Sequence, residues 1–114
     1  MPKFLGLQAS DDLGKELPQT VFVTGATTIK PYQTDIRITT AASVAYDITM
    51  PSIDTVPVGT SYYGRVVSDG GTGDVTIKDA AGTDILGDAL SAANDNFKIT
   101  NHIGVWKVDY EVTT

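Results

Sequence analysis

The 114-residue chain contains no cysteine. Disulfide staples, thiolate nucleophiles and thiolate zinc sites are thereby excluded, and the composition suits synthesis in a reducing cytoplasm. Long apolar runs are also missing: nothing approaches the ~18 consecutive apolar residues of a membrane-spanning helix. The opening MPKFLGLQASDD carries a short apolar patch and soon turns acidic, unlike a secretory signal. Basic residues are few, eight Lys and Arg against fourteen Asp and Glu, giving a net charge of −6. Phosphate recognition depends on Lys and Arg that release counterions, so no nucleic-acid partner is expected. Glutamate is scarce, and aspartate, which supplies nearly all the acidity, belongs to turns more than to helix interiors.

What is present is strand and turn chemistry. A chain of this length suits one domain that buries somewhat over ~60% of its unfolded surface. The stretch Tyr62–Lys78 is the clearest: two strand-like runs flank Asp69-Gly70-Gly71-Thr72-Gly73-Asp74, a tip with hairpin chemistry. After the tip, Val75 and Ile77 alternate with Asp74, Thr76 and Lys78, apolar on one face and polar on the other. The expectation is a central hairpin onto which the other strands pack.

In chain order, residues 1–19 have no clear period, and Pro18 interrupts anything longer. Thr20–Thr24 is a short strand. Asp35–Thr40 alternates, with Ile36 and Ile38 inward and Arg37 outward. Val44, Tyr46 and Ile48 share one face of a further strand that ends at Met50-Pro51, where proline has no N–H for a ladder. Ser52–Thr60 crosses to the central hairpin. Beyond Lys78, Asp79–Gly82 is a turn, Thr83–Leu86 is a short run, and Gly87–Asn96 offers one helical turn. Phe97–Thr100 and Val105–Val112 form a closing hairpin around Asn101–Gly104. Its second arm aligns Trp106, Val108, Tyr110 and Val112 on the core side, with Trp106 the largest core candidate. Short strands with regular turns point to an all-β fold, a single β-sandwich of jelly-roll type.

No motif nominates a reaction. Thr24-Gly25-Ala26-Thr27 lacks the glycines of a dinucleotide loop, and no serine sits in a G-x-S-x-G elbow. His102, the only histidine, stands in a turn without a neighbouring nucleophile or acid. Asp69, Asp74, Asp79, Asp84 and Asp88 recur without an EF-hand pattern, and turn aspartates ordinarily cap their own backbone. The chain is therefore read as a binding or structural protein with no catalytic residue, no metal and no cofactor. Among its five tyrosines, Tyr46 and Tyr110 are expected in the core.

The run from Ile36 to Val112 resembles the small β-sandwich modules of tailed-phage virion proteins. The likeness rests on several pieces in order: Ile36–Thr39; Val44–Ile48 with Met50-Pro51; Tyr62–Gly73; Asp74–Lys78 with Asp79–Gly82; Leu90–Asp95; and Phe97–Ile99, Gly104 and Trp106–Val108. Asn101-His102-Ile103-Gly104 departs from the Ser-Asp-Gly-like turn of such modules. The resemblance implies a capsid decoration (cement) protein on the surface of the virion head, with the major capsid protein as partner and a homotrimer as its assembly. A head-fibre or tail-adsorption module binding a host surface glycan or protein is the alternative. On the decoration reading, residues 1–30 form an arm with a short strand, and 31–114 form the sandwich. Phe4, Leu5, Leu7, Val21, Phe22 and Val23 of the arm would touch the capsid or a neighbouring subunit, and the distal loop Asp69–Asp74 would face outward.

Overall fold

The computed structural model describes residues 18–41, 43–69 and 73–112. Among the described residues there are eight strands: β1 (Thr20–Val23), β2 (Thr27–Thr28), β3 (Asp35–Thr40), β4 (Tyr46–Thr49), β5 (Ser61–Asp69), β6 (Val75–Lys78), β7 (Asn96–His102) and β8 (Val105–Glu111). A 3-10 turn, Ile53–Thr55, lies in the connection from β4 to β5. The fold is all-β and built from two sheets, one of five strands in the order β1-β3-β5-β7-β8 and one of three in the order β2-β4-β6.

The chain changes sheet at every step from β1 to β6. Strands of the same sheet therefore run in the same direction, and the ladders β1–β3, β3–β5, β2–β4 and β4–β6 are all parallel. A parallel pair needs a long crossover, and each crossover here passes through the opposite sheet. Successive passes stack in register, so Ile36 lies beside Val21 and Gly64, while Ile48 lies beside Thr27 and Ile77. The stacking ends at β5 and β6. There β7 and β8 close the larger sheet as an antiparallel hairpin. On the other sheet, the segment after β6 folds back along it through bridges at Lys78–Asp84 and Val75–Leu90.

Several expectations are corrected by this path. Tyr62–Lys78 is not a hairpin: β5 and β6 belong to different sheets and do not pair with each other. Among the described strands, antiparallel ladders join β5, β7 and β8, whereas the ladders that link β1 to β6 within each sheet are parallel. The division at residue 30 does not fall on a structural boundary, because β1 and β2 are the first pass of the two sheets and Ile29 is in the core. Gly87–Asn96 makes no helix; Leu90 exchanges two backbone hydrogen bonds with Val75 instead. Val44 does not join Tyr46 and Ile48 inside. It follows Ser43, whose φ of 56° turns the chain at the corner, and its side chain is exposed.

One core cluster holds side chains of both sheets, with Val23, Ile36, Ile38, Tyr62, Val66, Phe97 and Ile99 from one and Tyr46, Ile48, Val75 and Ile77 from the other. Tyr62 is fully buried, and its hydroxyl donates to the Pro31 carbonyl at 2.6 Å. Burial pushes that phenol up to about 12, because desolvation penalises the phenolate. Tyr46 is also buried, as expected, and donates to Thr39 O at 2.7 Å. Trp106 is only half-buried, packed on the rim of the core with its ring edge-to-face to Tyr62 at 5.9 Å. Tyr110 shares its face but lies far along the edge strand, and is 42% exposed rather than in the core.

Candidate interaction surface

Strand alternation and register together determine what the five-stranded sheet shows to solvent. Positions 21, 23, 36, 38, 62, 64, 66, 97 and 99 face the core, so their neighbours in sequence face outward. The register then aligns those outward residues across the strands. One row runs Thr20, Asp35, Tyr63, Lys98, Asp109; the next runs Phe22, Arg37, Arg65, Asn96, Glu111. Phe22 is 72% exposed and Tyr63 is 53% exposed, so two aromatic residues stand in water on this face.

The charges on the face are arranged unevenly. Arg37 donates to Asp35, with Nη2 3.1 Å from Oδ2, and Thr20 Oγ1 donates to the same oxygen at 3.0 Å. The Arg37 hydrogen bonds are the main reason the Asp35 carboxyl is held below its ordinary range; burial opposes them, while Thr20 and the charges of Arg37 and Arg65 assist. Lys98 places its ammonium 5.6 Å from the centre of the Tyr63 ring, a cation–π distance. Arg65 sits directly beside Arg37 in the parallel register and forms no salt bridge among the described residues. Like charges side by side on a sheet are unfavourable. The pair therefore presents a guanidinium open to an external carboxylate, at a depression of about 350 Å³ lined by Asp35, Arg37, Arg65, Tyr63, Asn96 and Lys98. With Lys107, four of the eight basic residues of the chain lie on this face.

The residues singled out from sequence are distributed differently from expectation. Phe22 is on this surface, but Val21 and Val23 point the other way, Val23 fully into the core and Val21 packed against it. Phe4, Leu5 and Leu7 lie outside the described residues. In the distal loop, Gly70, Gly71 and Thr72 also lie outside them, and of Asp69 only the backbone is described, at the end of β5. Gly73 is buried: a Cβ there would run into the carbonyls of Ala41 and Val44, and its N–H donates to Ala41 O at 2.9 Å. It is the point where one corner stacks on the previous one. Asp74 is exposed, and its carbonyl accepts from Tyr46 N. His102 is exposed at the end of β7. Among the described residues no three His, Cys, Asp or Glu side chains gather closely enough to hold a metal, and no helix is long and apolar enough to cross a membrane.

The row of Phe22, Arg37 and Arg65 was missed from sequence because its members are 15 and 28 residues apart. Arg37 was recognisable as outward from alternation. Nothing local said that Arg65 would stand next to it. Comparison with protein-family models, with curated proteins and with solved structures finds no match to this chain.

Proposed function

We propose that the chain is a capsid decoration protein of a tailed phage, a structural protein that docks on the assembled head and holds neighbouring capsid subunits together. The observation that carries this reading is the outer face of the five-stranded sheet, where Phe22 and Tyr63 stand exposed beside Arg37 and Arg65. Aromatic residues and arginine dominate the binding energy of protein interfaces, through large apolar contact and bidentate pairing with carboxylates. The resemblance of Ile36–Val112 to virion modules supplies the partner, the major capsid protein, and the trimeric state. On this reading the two-sheet body is the sandwich of such a module, and the segment before β1 acts as its arm. A protein that binds only the expanded shell stabilises it by mass action against internal pressure.

The test is co-sedimentation of the purified chain with expanded heads and with unexpanded shells of a phage that carries it. Binding to expanded heads is expected, and Phe22→Ala combined with Arg65→Ala should weaken it at least ~30-fold, since hot-spot truncations cost ~1–2 kcal/mol or more each. Light scattering of the free chain should give the mass of a trimer. A chain that ignores heads but binds host cells would overturn the reading in favour of an adsorption module.

A further inference from the structure

A second concavity, of about 520 Å³, opens where the β7–β8 hairpin, the 3-10 turn and the segment after β6 meet. Trp106, Ile53 and Ile85 give it an apolar lining, and Asp79, Asp84 and Ser52 supply oxygens. The two carboxylates are held in place by the backbone. Asp79 Oδ1 accepts from Ala81 N at 3.0 Å and Thr83 N at 2.9 Å, while Asp84 Oδ1 accepts from Gly87 N at 3.0 Å. Each thus commits one oxygen to its own turn, and neither makes a salt bridge among the described residues. The indole is fixed in turn by its edge-to-face contact with Tyr62.

We propose that this cleft binds a neutral saccharide unit, with a C–H face of the sugar ring against Trp106 and hydroxyls donating to Asp79 and Asp84. Ionised carboxylates only accept hydrogen bonds, so the ligand must bring donors. No Lys or Arg lines the cleft, which disfavours anionic ligands, and a wholly apolar ligand would strip water from two charges without replacement. A hard cation needs six or more oxygens converging on one point, and among the described residues no three His, Cys, Asp or Glu side chains gather to supply them. An amphipathic ring carrying several hydroxyls satisfies the aromatic floor and both carboxylates at once. The volume falls in the range of small-molecule sites. The inference goes beyond the docking of the chain on a capsid and does not rest on it, because it uses a different set of residues.

Trp106 is the only tryptophan, so its fluorescence reports directly on the site. The purified full chain would be titrated with glucose, galactose, N-acetylglucosamine and their β-linked disaccharides, each to about 100 mM. At least one should give a saturable change with a Kd of about a millimolar, the range open to a ligand of this size. Asp84→Asn, which keeps an oxygen for the Gly87 N–H, should raise that Kd at least ~5-fold while the melting temperature stays close to that of the parent. Amide chemical shifts at residues 79–85 and 104–106 should move with the same Kd, which keeps the test valid if fluorescence changes little. The proposal is overturned if no sugar produces a saturable change in either signal, or if the response survives Asp84→Asn combined with Asp79→Asn. It is equally overturned if tetramethylammonium saturates the site and the sugars do not, since that would make it a cation pocket.

Discussion

Replacing Ile103 by asparagine should make the protein more stable. The β7–β8 hairpin turns through only two residues, Ile103 and Gly104, whose φ angles are +53° and +84°. Two consecutive left-handed residues define the turn that best matches strand twist, and its preferred occupants are Asn or Asp followed by Gly. A β-branched residue there is a steric outlier, at a cost of about 1–2 kcal/mol. The side chain recovers little, being 77% exposed; with less than a quarter of it removed from water, its burial contributes under ~0.7 kcal/mol. Asparagine tolerates the conformation, so Ile103→Asn should gain about 1 kcal/mol, or about 4 °C in Tm for a domain of this size. The companion variants have graded signs. Ile103→Ala keeps a Cβ at positive φ and should lie within about 0.5 kcal/mol of the parent. Ile103→Gly should gain less than asparagine, because its unfolded chain has more entropy to lose. Gly104→Ala should lose ~1–2 kcal/mol. Thermal unfolding followed by circular dichroism, with urea titrations at unchanged m, would measure the series. An Ile103→Asn variant that melts at or below the parent would refute the reasoning.

Three further outcomes follow from the interior. Phe97 covers Gly64 in the core, and a Cβ at 64 would collide with its ring; Gly64→Ala should cost ~1–3 kcal/mol, partly recovered when combined with Phe97→Leu, as read by urea denaturation. Asn101 is buried, donates to Val56 O at 2.8 Å and accepts from Gly104 N at 2.8 Å. Asn101→Ala strands both partners and should cost about 2–3 kcal/mol, with faster amide exchange at Gly104. Tyr62, pushed up to about 12 from an unfolded value near ~10, gives the chain an alkaline limit. Below pH ~10 both states keep the proton and the stabilisation is complete; between pH ~10 and ~12 the unfolded chain loses its proton first, so stability falls. Tyr62→Phe should lower the neutral-pH Tm yet show a shallower decline over that window, with Tyr46, also shifted upward by burial, accounting for what slope remains.

The candidate surface shows why local reading stops short. Alternation identified Arg37 as outward and Ile36 and Ile38 as inward, which the structure confirms for β3. It could not rank Phe22 above Val21 and Val23 as a contact residue until the edge strand had a partner in β3. Trp106, expected as a central core residue, became the wall of a cleft because β8 is the last strand of its sheet and covers the core only at the rim.

Composition and period by themselves determined that the protein is all-β, where β3 and the closing hairpin lie, and that Tyr46, Ile48, Val75 and Ile77 face inward. These are properties of a residue and its near neighbours, so two-residue alternation and turn chemistry suffice. Which strand lies beside which was decided only in three dimensions. Parallel sheets ordinarily have both faces covered and read as continuous apolar runs. Here each sheet keeps one face in water, so its strands alternate just as antiparallel strands do, and Asp69–Asp74 carries the same glycine and aspartate whether the chain reverses or crosses to the other sheet. Only the stacked path of the whole chain, with Gly73 pressed beneath the Ala41 and Val44 carbonyls, selects the crossing. That same path sets Arg37 beside Arg65 and brings Asp79, Asp84 and Trp106 to one cleft.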